Sequence, residues 1–254
     1  MPLERPFVSP TDANFPPTLI SLVVRAADRS TPEGAEAFER LCTVYWPPLY
    51  AFLRRQGESP AVAQDYVQGF FERLTERDFL GQMDVERGRF RTFLRAALWH
   101  YLLNQRRADR TDRRGGGHLH VPIEELAGAE QGLSTLSTGV TADEVYDREW
   151  ASGLVRRAHL ALRHTYVTEG KGAEFADLSV WLVKPSESGD YAEVAKRRGV
   201  TENGIAAAVK RLRREYLNCL RGQVLQTLES PAEVEAELKY LLEVLISQPL
   251  TDQA

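Results

Sequence analysis

Cysteine is scarce in this sequence: of its 254 residues, only Cys42 and Cys219 are cysteines. Neither belongs to a spacing that binds metal, and a single distant pair does not make a disulfide framework. The five histidines show no ligand pattern either, and the pair His118 and His120 is typical of a solvated turn. We therefore expect reduced thiols, no metal site and no bound cofactor.

Long apolar runs are missing as well. No segment approaches the roughly eighteen apolar residues that a membrane-spanning helix needs. The N-terminal stretch MPLERPFVSP lacks the basic start and the apolar centre of a signal peptide. These absences predict a cytoplasmic protein that does not enter the membrane.

Strand patterns and catalytic motifs are also absent. Apolar residues recur every three or four positions rather than every two, which predicts an all-α fold. The sequence has no phosphate-binding glycine loop, no clustered nucleophile and base, and no metal-ligand spacing. An enzyme is therefore the least favoured function class, and we expect a protein that binds rather than catalyses.

Charge is abundant but unevenly distributed. The formal net charge of −4, from 32 basic and 36 acidic residues, by itself argues against a nucleic-acid partner. Two segments are nevertheless strongly basic: residues 87–114 contain nine arginines and two acids, and residues 196–221 contain eight basic residues and two acids. Such clustering predicts two local contacts with DNA or RNA.

The second basic segment has the pattern of a helix-turn-helix. Tyr191, Val194 and Ala195 have helical spacing, Gly199 suits a tight turn, and Thr201 is a candidate N-cap for the following helix. That helix has an apolar stripe formed by Ile205, Val209, Leu212, Tyr216 and Leu220. Its other side carries residues suited to phosphates and base edges in a DNA groove, namely Asn203, Ala207, Lys210 and Arg214. The alternative is a solvated basic face on a packing helix.

Glycine, proline and serine residues mark the predicted boundaries between helices and the linker. Residues 115–142 begin with three glycines, show little periodicity and are predicted to be a linker. Before this linker, Pro47 and Pro48 predict a kink at which two helices meet, and Ser59 is a candidate N-cap for the next helix. After it, residues 167–189 are predicted to form one short helix between loops.

Two N-terminal helices carry polar faces of different character. The helix after Ser59 presents Asp65, Gln68 and Glu72 opposite its apolar side, a pattern usual for a solvated face but also suited to docking a basic partner. A third long helix, starting near residue 89, is predicted to bury Phe90, Phe93, Leu94, Ala97 and Tyr101. Its opposite side carries Arg95, Trp99 and Arg106. These residues suit base stacking and phosphate neutralisation, although packing of the tryptophan against a neighbouring helix is an equal alternative.

In their order along the chain, these motifs resemble the bacterial RNA polymerase sigma factors of the sigma-70 superfamily, specifically the extracytoplasmic-function (ECF) type. The run DYVQGFFERL matches a D-x-x-Q-x-x-F helix through Asp65, Gln68 and Phe71. The run FRTFL matches an F-R-x-W-L segment in which Phe93 replaces the tryptophan. The resemblance covers about residues 37–222, with a longer linker and a C-terminal extension.

The resemblance implies two small helical domains joined by a flexible linker. Residues 37–114 would form a region-two helical bundle that docks on core RNA polymerase and captures and melts the minus-ten promoter element. Residues 143–229 would form a region-four helix-turn-helix domain that binds the minus-thirty-five element. The remaining parts are an N-terminal extension (1–36), the linker (115–142) and a C-terminal amphipathic helix (230–254).

The same resemblance assigns individual residues to three sets of contacts. Core-polymerase contacts fall on Asp65, Gln68, Phe71 and Glu72. Contacts with minus-ten DNA fall on Arg87, Arg89, Arg91, Arg95, Trp99 and Arg106. Contacts with minus-thirty-five DNA fall on Thr201, Asn203, Ala207, Lys210, Arg211 and Arg214. Core RNA polymerase and promoter DNA are thus the expected partners, and an anti-sigma protein is a further candidate.

Stand-alone regulation is the main alternative function. A helix-turn-helix repressor binds duplex DNA without polymerase. It would need neither the polar face around Asp65 nor an arginine helix that carries a tryptophan. Those two features therefore favour a sigma factor over a repressor.

The C-terminal helix is predicted to be amphipathic. Its apolar stripe consists of Val234, Leu238, Leu241, Leu242 and Leu245, with Glu233, Glu235 and Glu243 outside it. Packing on the last domain is the simpler interpretation. A second hypothesis is that its acidic side competes with DNA for the basic recognition helix.

Overall fold

Helices make up the regular structure of the protein in the computed structural model, which describes residues 25–26, 28–74, 90–108, 139–184, 189–228 and 231–246, without the side chains of 90, 107 and 108. In chain order the helices are α1 (Pro32–Arg55), α2 (Pro60–Leu74), α3 (Phe90–Ala108), α4 (Ala142–Thr168), α5 (Gly172–Leu178), α6 (Ala192–Arg198), α7 (Glu202–Leu225) and α8 (Val234–Ile246). Short 3-10 turns cover Ser179–Leu182 and Pro231–Glu233. No strand occurs within these ranges, so the predicted all-α class is confirmed for them.

Helix α1 continues through its two prolines. Thr31 caps its start by accepting a hydrogen bond from the Gly34 amide at 3.1 Å. The predicted pair of helices meeting at Pro47 and Pro48 is wrong, because a single helix spans both positions. The fixed φ of proline is compatible with a helix, but each interior ring removes one backbone hydrogen bond and crowds the carbonyl four residues earlier, at a cost of about 3 kcal/mol. Both rings are buried in the core, and that burial offsets part of the loss.

The larger apolar core combines the N-terminal helices with parts of the second half of the chain. Helix α1 packs mainly against α4, and α2 packs against α1 and α3. The second half contributes Tyr146, Trp150, Ala151, Leu154, Ala158, Leu220, Val224, Leu228, Val234, Leu238 and Leu241 to this core. The first half of α4, the end of α7 and the buried side of α8 therefore share one core with the N-terminal helices.

The smaller core belongs to the helix-turn-helix. It contains Leu162, Tyr166, Phe175, Leu178, Trp181, Val194, Ala195, Ile205, Val209 and Leu212. The segment predicted as one short helix between loops forms α5 and a 3-10 turn, and its buried residues fill the space between α4 and α7. This segment is thus a structural part of the helix-turn-helix unit.

Helices α4 and α7 run through both cores. With 27 and 24 residues, they are about 40 and 36 Å long at 1.5 Å per residue. The predicted separation into two small domains is therefore not confirmed, because these two helices are shared. Residues 115–138 of the predicted linker lie outside the described residues. Its last residues are docked: the Val140 carbonyl accepts a hydrogen bond from Arg55 at 2.7 Å, and Thr141 forms a capping box with Glu144.

Helix α4 buries a glutamate whose ionisation should make stability depend on pH. Glu149 is 7% exposed, and its carboxylate lies 3.9 Å from the Arg156 guanidinium. Burial raises the pKa of Glu149 from 4.5 to about 7. Because the folded state binds this proton more tightly, the stability it contributes is complete below the unfolded pKa and is lost as the pH rises through the folded pKa.

Glu149→Gln should therefore raise the free energy of unfolding at about pH 8 by about 3 kcal/mol, since a shift of one pKa unit corresponds to about 1.4 kcal/mol. Urea unfolding at a series of pH values measures this effect, and the gain over wild type should disappear at acidic pH. Glu243→Gln, which changes an exposed acid on α8, is the control. A gain that is equal at all pH values would contradict the assignment.

Candidate nucleic-acid interface

The helix-turn-helix has the local geometry that its sequence predicts. Helix α6 ends at Arg198 and is capped by Gly199, whose φ of 66° places it in the left-handed region, where glycine is favoured. The Val200 amide then donates to the Ala195 carbonyl at 3.0 Å. Thr201 caps α7, because its hydroxyl oxygen accepts a hydrogen bond from the Gly204 amide at 3.1 Å. The turn is thus defined by local contacts, and both helices then pack in one core with α4 and α5.

The two faces of α7 separate as predicted. The inward stripe is buried at Ile205, Val209, Leu212 and Leu220, and Tyr216 is half-buried. The outward residues Asn203, Ala207, Lys210 and Arg214 are exposed. Asn203 offers both a donor and an acceptor to a base edge, and the small Ala207 allows a close approach of the helix to a groove. Thr201 is exposed as well, although its hydroxyl oxygen is already engaged in the cap.

Helix α5 neutralises part of the basic segment. Asp177 pairs with Arg197 at 2.5 Å and with Arg198 at 3.0 Å, and Glu174 pairs with Arg211 at 2.8 Å. The hydrogen bond from Arg198, together with the nearby Arg197, lowers the pKa of the Asp177 carboxyl. Arg211, predicted to contact DNA, is exposed but must leave Glu174 before it can pair with a phosphate.

Three cations of this segment remain available to a partner. Arg213 donates to two backbone carbonyls near the 3-10 turn, and Arg221 pairs with an acid of α8. Lys196, Lys210 and Arg214 are exposed and have no ion pair within the described ranges. The part of the helix-turn-helix that can neutralise phosphates is therefore narrower than the sequence suggests.

Helix α3 buries a different stripe from the predicted one. Its buried residues are Arg91, Leu94, Leu98 and Leu102, whereas Phe93, Ala97 and Tyr101 are only half-buried. The prediction is correct for Leu94 but wrong for most of the face, and the side chain of Phe90 is outside the described set. The reason is that α3 is covered on two sides. On one of them, Gly69 of α2 lets Tyr101 come so close that any Cβ there would collide with the tyrosine hydroxyl.

Arg91 is enclosed by protein groups on several sides. It is 5% exposed and forms an ion pair with Glu237 of α8. Its guanidinium also lies 3.5 Å from the Asp147 carboxylate and about 5 Å from two ring centres, at 4.6 Å over Trp150 and 4.9 Å over Tyr240. Arg91 therefore cannot make the predicted DNA contact in this conformation, because protein groups cover almost all of its surface.

The other arginines of α3 are also engaged internally. Arg95 pairs with Asp143 at 3.4 Å and with Asp147 at 3.7 Å. Arg106 donates to the Glu58 carboxylate, with its Nε at 3.2 Å. Both side chains are partly exposed, so these pairs are weak enough to exchange for other anions.

Trp99 packs against the helical core rather than standing free. Its ring meets the edge of Phe52 at 6.3 Å between centroids and 89° between planes. It is half-buried, so the predicted open stacking platform is not present in this conformation. Arg87 and Arg89, the first two predicted minus-ten contacts, lie outside the described residues.

Of the four residues of α2 predicted to contact core polymerase, the three polar ones reach the surface and Phe71 does not. Asp65 and Glu72 are exposed, and Gln68 is half-buried and donates to Glu72 at 3.3 Å. Phe71 is fully buried and stacks on Trp46 at 5.8 Å with an interplanar angle of 2°. The expectation that Phe71 touches a partner is therefore corrected: it supports the helix from inside, and the three polar residues form the surface.

The acids that pair with Arg91 are not evident from the sequence motifs. They are Asp147 and Glu237, which enclose its guanidinium. A signal existed for Glu237, since it lies three residues after Val234 and next to Leu238, on the apolar face of the last helix. No local pattern marks Asp147, whose neighbours on α4 are packed on more than one side.

The last helix differs in detail from its prediction. Residues Pro231–Glu233 form a 3-10 turn, and the α-helix begins at Val234. Glu235 pairs with Arg221 at 2.6 Å. This contact lies near the end of α7, beyond the exposed groove-reading residues, so the predicted competition for the recognition helix is not what the geometry provides.

Comparisons with known proteins do not assign a function to the chain, so the function has to be inferred from the residues described above. No protein-family model matches the chain, and neither curated proteins nor solved structures show significant similarity to it. No helix in the described parts of the chain is long and apolar enough to cross a membrane. Among the same residues, no cluster of histidine, cysteine or acidic side chains is arranged to hold a metal ion.

Proposed function

We propose that this protein is a sigma factor, which binds core RNA polymerase and directs promoter recognition and DNA opening. In this proposal residues 37–114 act as the region-two part and residues 143–229 as the region-four part. The polar face of α2 docks on the polymerase, and α7 enters the major groove of the upstream promoter element. Core RNA polymerase and promoter DNA are the partners, and the protein works in the cytoplasm.

The observation that carries the proposal is the pair of displayed faces on α2 and α7. The outward side of α7 combines Asn203, Lys210 and Arg214 on a capped helix behind a glycine turn, an arrangement suited to a DNA groove. The face of α2 offers Asp65 and Glu72 to a basic partner. A protein that only binds duplex DNA has no need for the second face.

A stand-alone helix-turn-helix regulator is the second candidate. The described arginines of α3 are held by carboxylates, and Trp99 is packed on the core. Without an open surface for single-stranded DNA, α7 would act alone on duplex DNA. This arrangement favours a regulator, and only a measurement with polymerase separates the two functions.

Run-off transcription with bacterial core polymerase and a library of candidate promoters tests the proposal. A sigma factor should bind core and start transcripts from a subset of the library. A chain that binds duplex DNA but neither binds core nor initiates would be a regulator. If the chain neither binds core, initiates transcription nor binds duplex DNA, both proposed functions are wrong.

Changing Asp65 and Gln68 together to alanine should weaken core-polymerase binding by about 10-fold or more, because each contact at an interface centre contributes on the order of 1 kcal/mol. Neither side chain is fully buried, so the helix content should not change. Glu36→Ala, which removes an exposed acid from α1, is the control and should bind as wild type. Retained binding by the double variant would reject this face as the docking surface.

A further inference from the structure

The last helix, α8, has an apolar buried face that contains one charged residue, and this residue contacts α3. The buried residues of α8 are Val234, Glu237, Leu238 and Leu241. Three of them are apolar and join the larger core. The fourth, Glu237, is fully buried and pairs with Arg91. The opposite side of α8 faces solvent, with Glu235, Lys239 and Glu243 exposed.

Three helices contribute to the network around this pair. Arg91 comes from α3, Asp147 from α4, and Glu237 from α8. Tyr240 of α8 donates its hydroxyl to Asp147 at 2.7 Å, and its ring lies against the Arg91 guanidinium. The contact between α8 and α3 is therefore made through the Arg91 guanidinium, whereas α8 as a whole packs mainly against α4 and α7.

The buried pair makes the docking of α8 depend on which anion, Glu237 or a phosphate, pairs with Arg91. A guanidinium enclosed by two carboxylates and two rings has no position left for a phosphate. A carboxylate as deeply buried as Glu237 is costly without its cation. A phosphate on Arg91 would leave Glu237 uncompensated, so docking of α8 and binding of an anion at Arg91 exclude each other.

We propose that α8 is an acidic clasp, in which Glu237 holds the position on Arg91 that a phosphate of single-stranded DNA takes when the helix is released. Release of α8 uncovers Arg91 on the side away from α4. Arg95, held by the partly exposed acids Asp143 and Asp147, then becomes the next cation along the same helix. This inference rests on the proposed function, because it supplies the opening step that the basic side of α3 needs before it can contact melted DNA.

Two variants that release α8 by different means test the clasp. Glu237→Gln removes the buried charge, and the pair Leu238→Ala with Leu241→Ala weakens the docking face without changing any charge. Each should bind a fluorescein-labelled single-stranded 20-mer of mixed sequence about 10-fold more tightly than wild type, in the range typical of coupled sites. Their affinities should also depend more steeply on salt, since each added phosphate contact raises the slope by about 0.7. Fluorescence anisotropy measures both quantities.

Glu243→Gln is the matched control for the charge change. It removes one negative charge from the same helix, but from the exposed side, where Glu243 lies 3.9 Å from Lys239. Its affinity for the 20-mer should equal that of wild type. Tighter binding by this control, to the same extent as Glu237→Gln, would show that net charge alone is responsible and would overturn the clasp.

The wild-type chain provides a test that does not depend on a variant folding. Amide hydrogen exchange of α8, measured with and without a saturating amount of the same 20-mer at low salt, should become faster when DNA is bound. Continued protection of α8 in the complex would overturn the proposal. So would release variants that keep their helix content by circular dichroism and bind the 20-mer no more tightly than wild type, because the buried pair would then be purely structural.

Binding to core polymerase, scored separately by pull-down, distinguishes failure of the clasp from failure of the proposed function. If wild type binds core and initiates but α8 stays protected on DNA, the clasp is wrong and the sigma function stands. If the release variants bind DNA more tightly but no form of the chain binds core or initiates, the clasp stands and the sigma function is wrong.

Discussion

Replacing Arg91 with alanine should lower the free energy of unfolding by about 3–5 kcal/mol, because Glu237 then remains in the core without its cation. The same change removes a guanidinium that lies against the rings of Trp150 and Tyr240. Urea unfolding followed by circular dichroism measures the effect. Arg163→Ala, which removes an exposed arginine from α4, should change stability by no more than about 0.5 kcal/mol. A loss for Arg91→Ala as small as that of the control would show that the enclosed pair carries little energy.

The paired variant Arg91→Met with Glu237→Leu separates the cost of an orphaned charge from the value of the ion pair. A buried ion pair usually contributes little more than apolar residues of similar size, whereas breaking it is costly. The double variant should therefore recover most of the stability lost in Arg91→Ala. If it is as unstable as the single variant, the pair itself stabilises the fold, and this result would argue against a role in conformational release.

The helix-turn-helix could be predicted because its determinants are local. Gly199 provides the left-handed turn, Thr201 provides the cap, and the apolar stripe from Ile205 onward repeats with helical spacing. Each signal depends on residues within a few positions of one another. The exposed face of α7 follows from that periodicity, since the residues opposite a buried stripe are directed to solvent.

The buried side of α3 could not be predicted in the same way. Periodicity treats arginine as an outward residue, and only partners from α4 and α8 make Arg91 an inward one. The half-buried Phe93, Ala97 and Tyr101 show that the helix is covered on two sides. With two covered sides, the pattern of apolar residues does not identify a single buried stripe.

The way in which the chain divides into two cores could not be predicted from the sequence, for a related reason. Amphipathic periodicity shows that a helix buries one side but does not tell which helices cover it. Helix α4 packs its first half on α1 and its second half on the helix-turn-helix, and α7 is shared similarly. Glycines at 115–117 marked a change in composition, but the shared core depends on contacts between segments far apart in the sequence.

The acids of α5 narrow the choice of residues that could bind DNA. Arg197, Arg198 and Arg211 are basic in sequence, yet their charges are balanced by Asp177 and Glu174. Sequence alone counts all of them as phosphate ligands. In the structure these three arginines hold α5 against the helix-turn-helix. Lys196 on α6 and Lys210 and Arg214 on the outer face of α7 are exposed and have no such ion pair in the described part of the chain.

The exposed cations of α7 lead to the second prediction with a large expected effect, which concerns binding to duplex DNA. Changing Lys210 and Arg214 together to alanine should weaken binding to duplex DNA by about 30- to 1,000-fold at near-physiological salt, because each charge-assisted contact contributes on the order of 1–2 kcal/mol and about 1.4 kcal/mol is tenfold. The slope of log K against log salt should fall by about 1.8, since each lost phosphate contact removes about 0.9. Both side chains are exposed, so the unfolding curve should not change.

Anisotropy titrations with a labelled duplex at several salt concentrations measure both numbers. Lys239→Ala, which removes an exposed cation from α8, is the control for general charge effects. Arg211→Ala should cost less than the pair, because Arg211 is held by Glu174 and gives up an ion pair to reach DNA. If the double variant keeps the wild-type salt slope, α7 does not contact phosphates through these residues. The groove-reading role of this helix would then have to be abandoned, because Lys210 and Arg214 are the cations that its outward face offers.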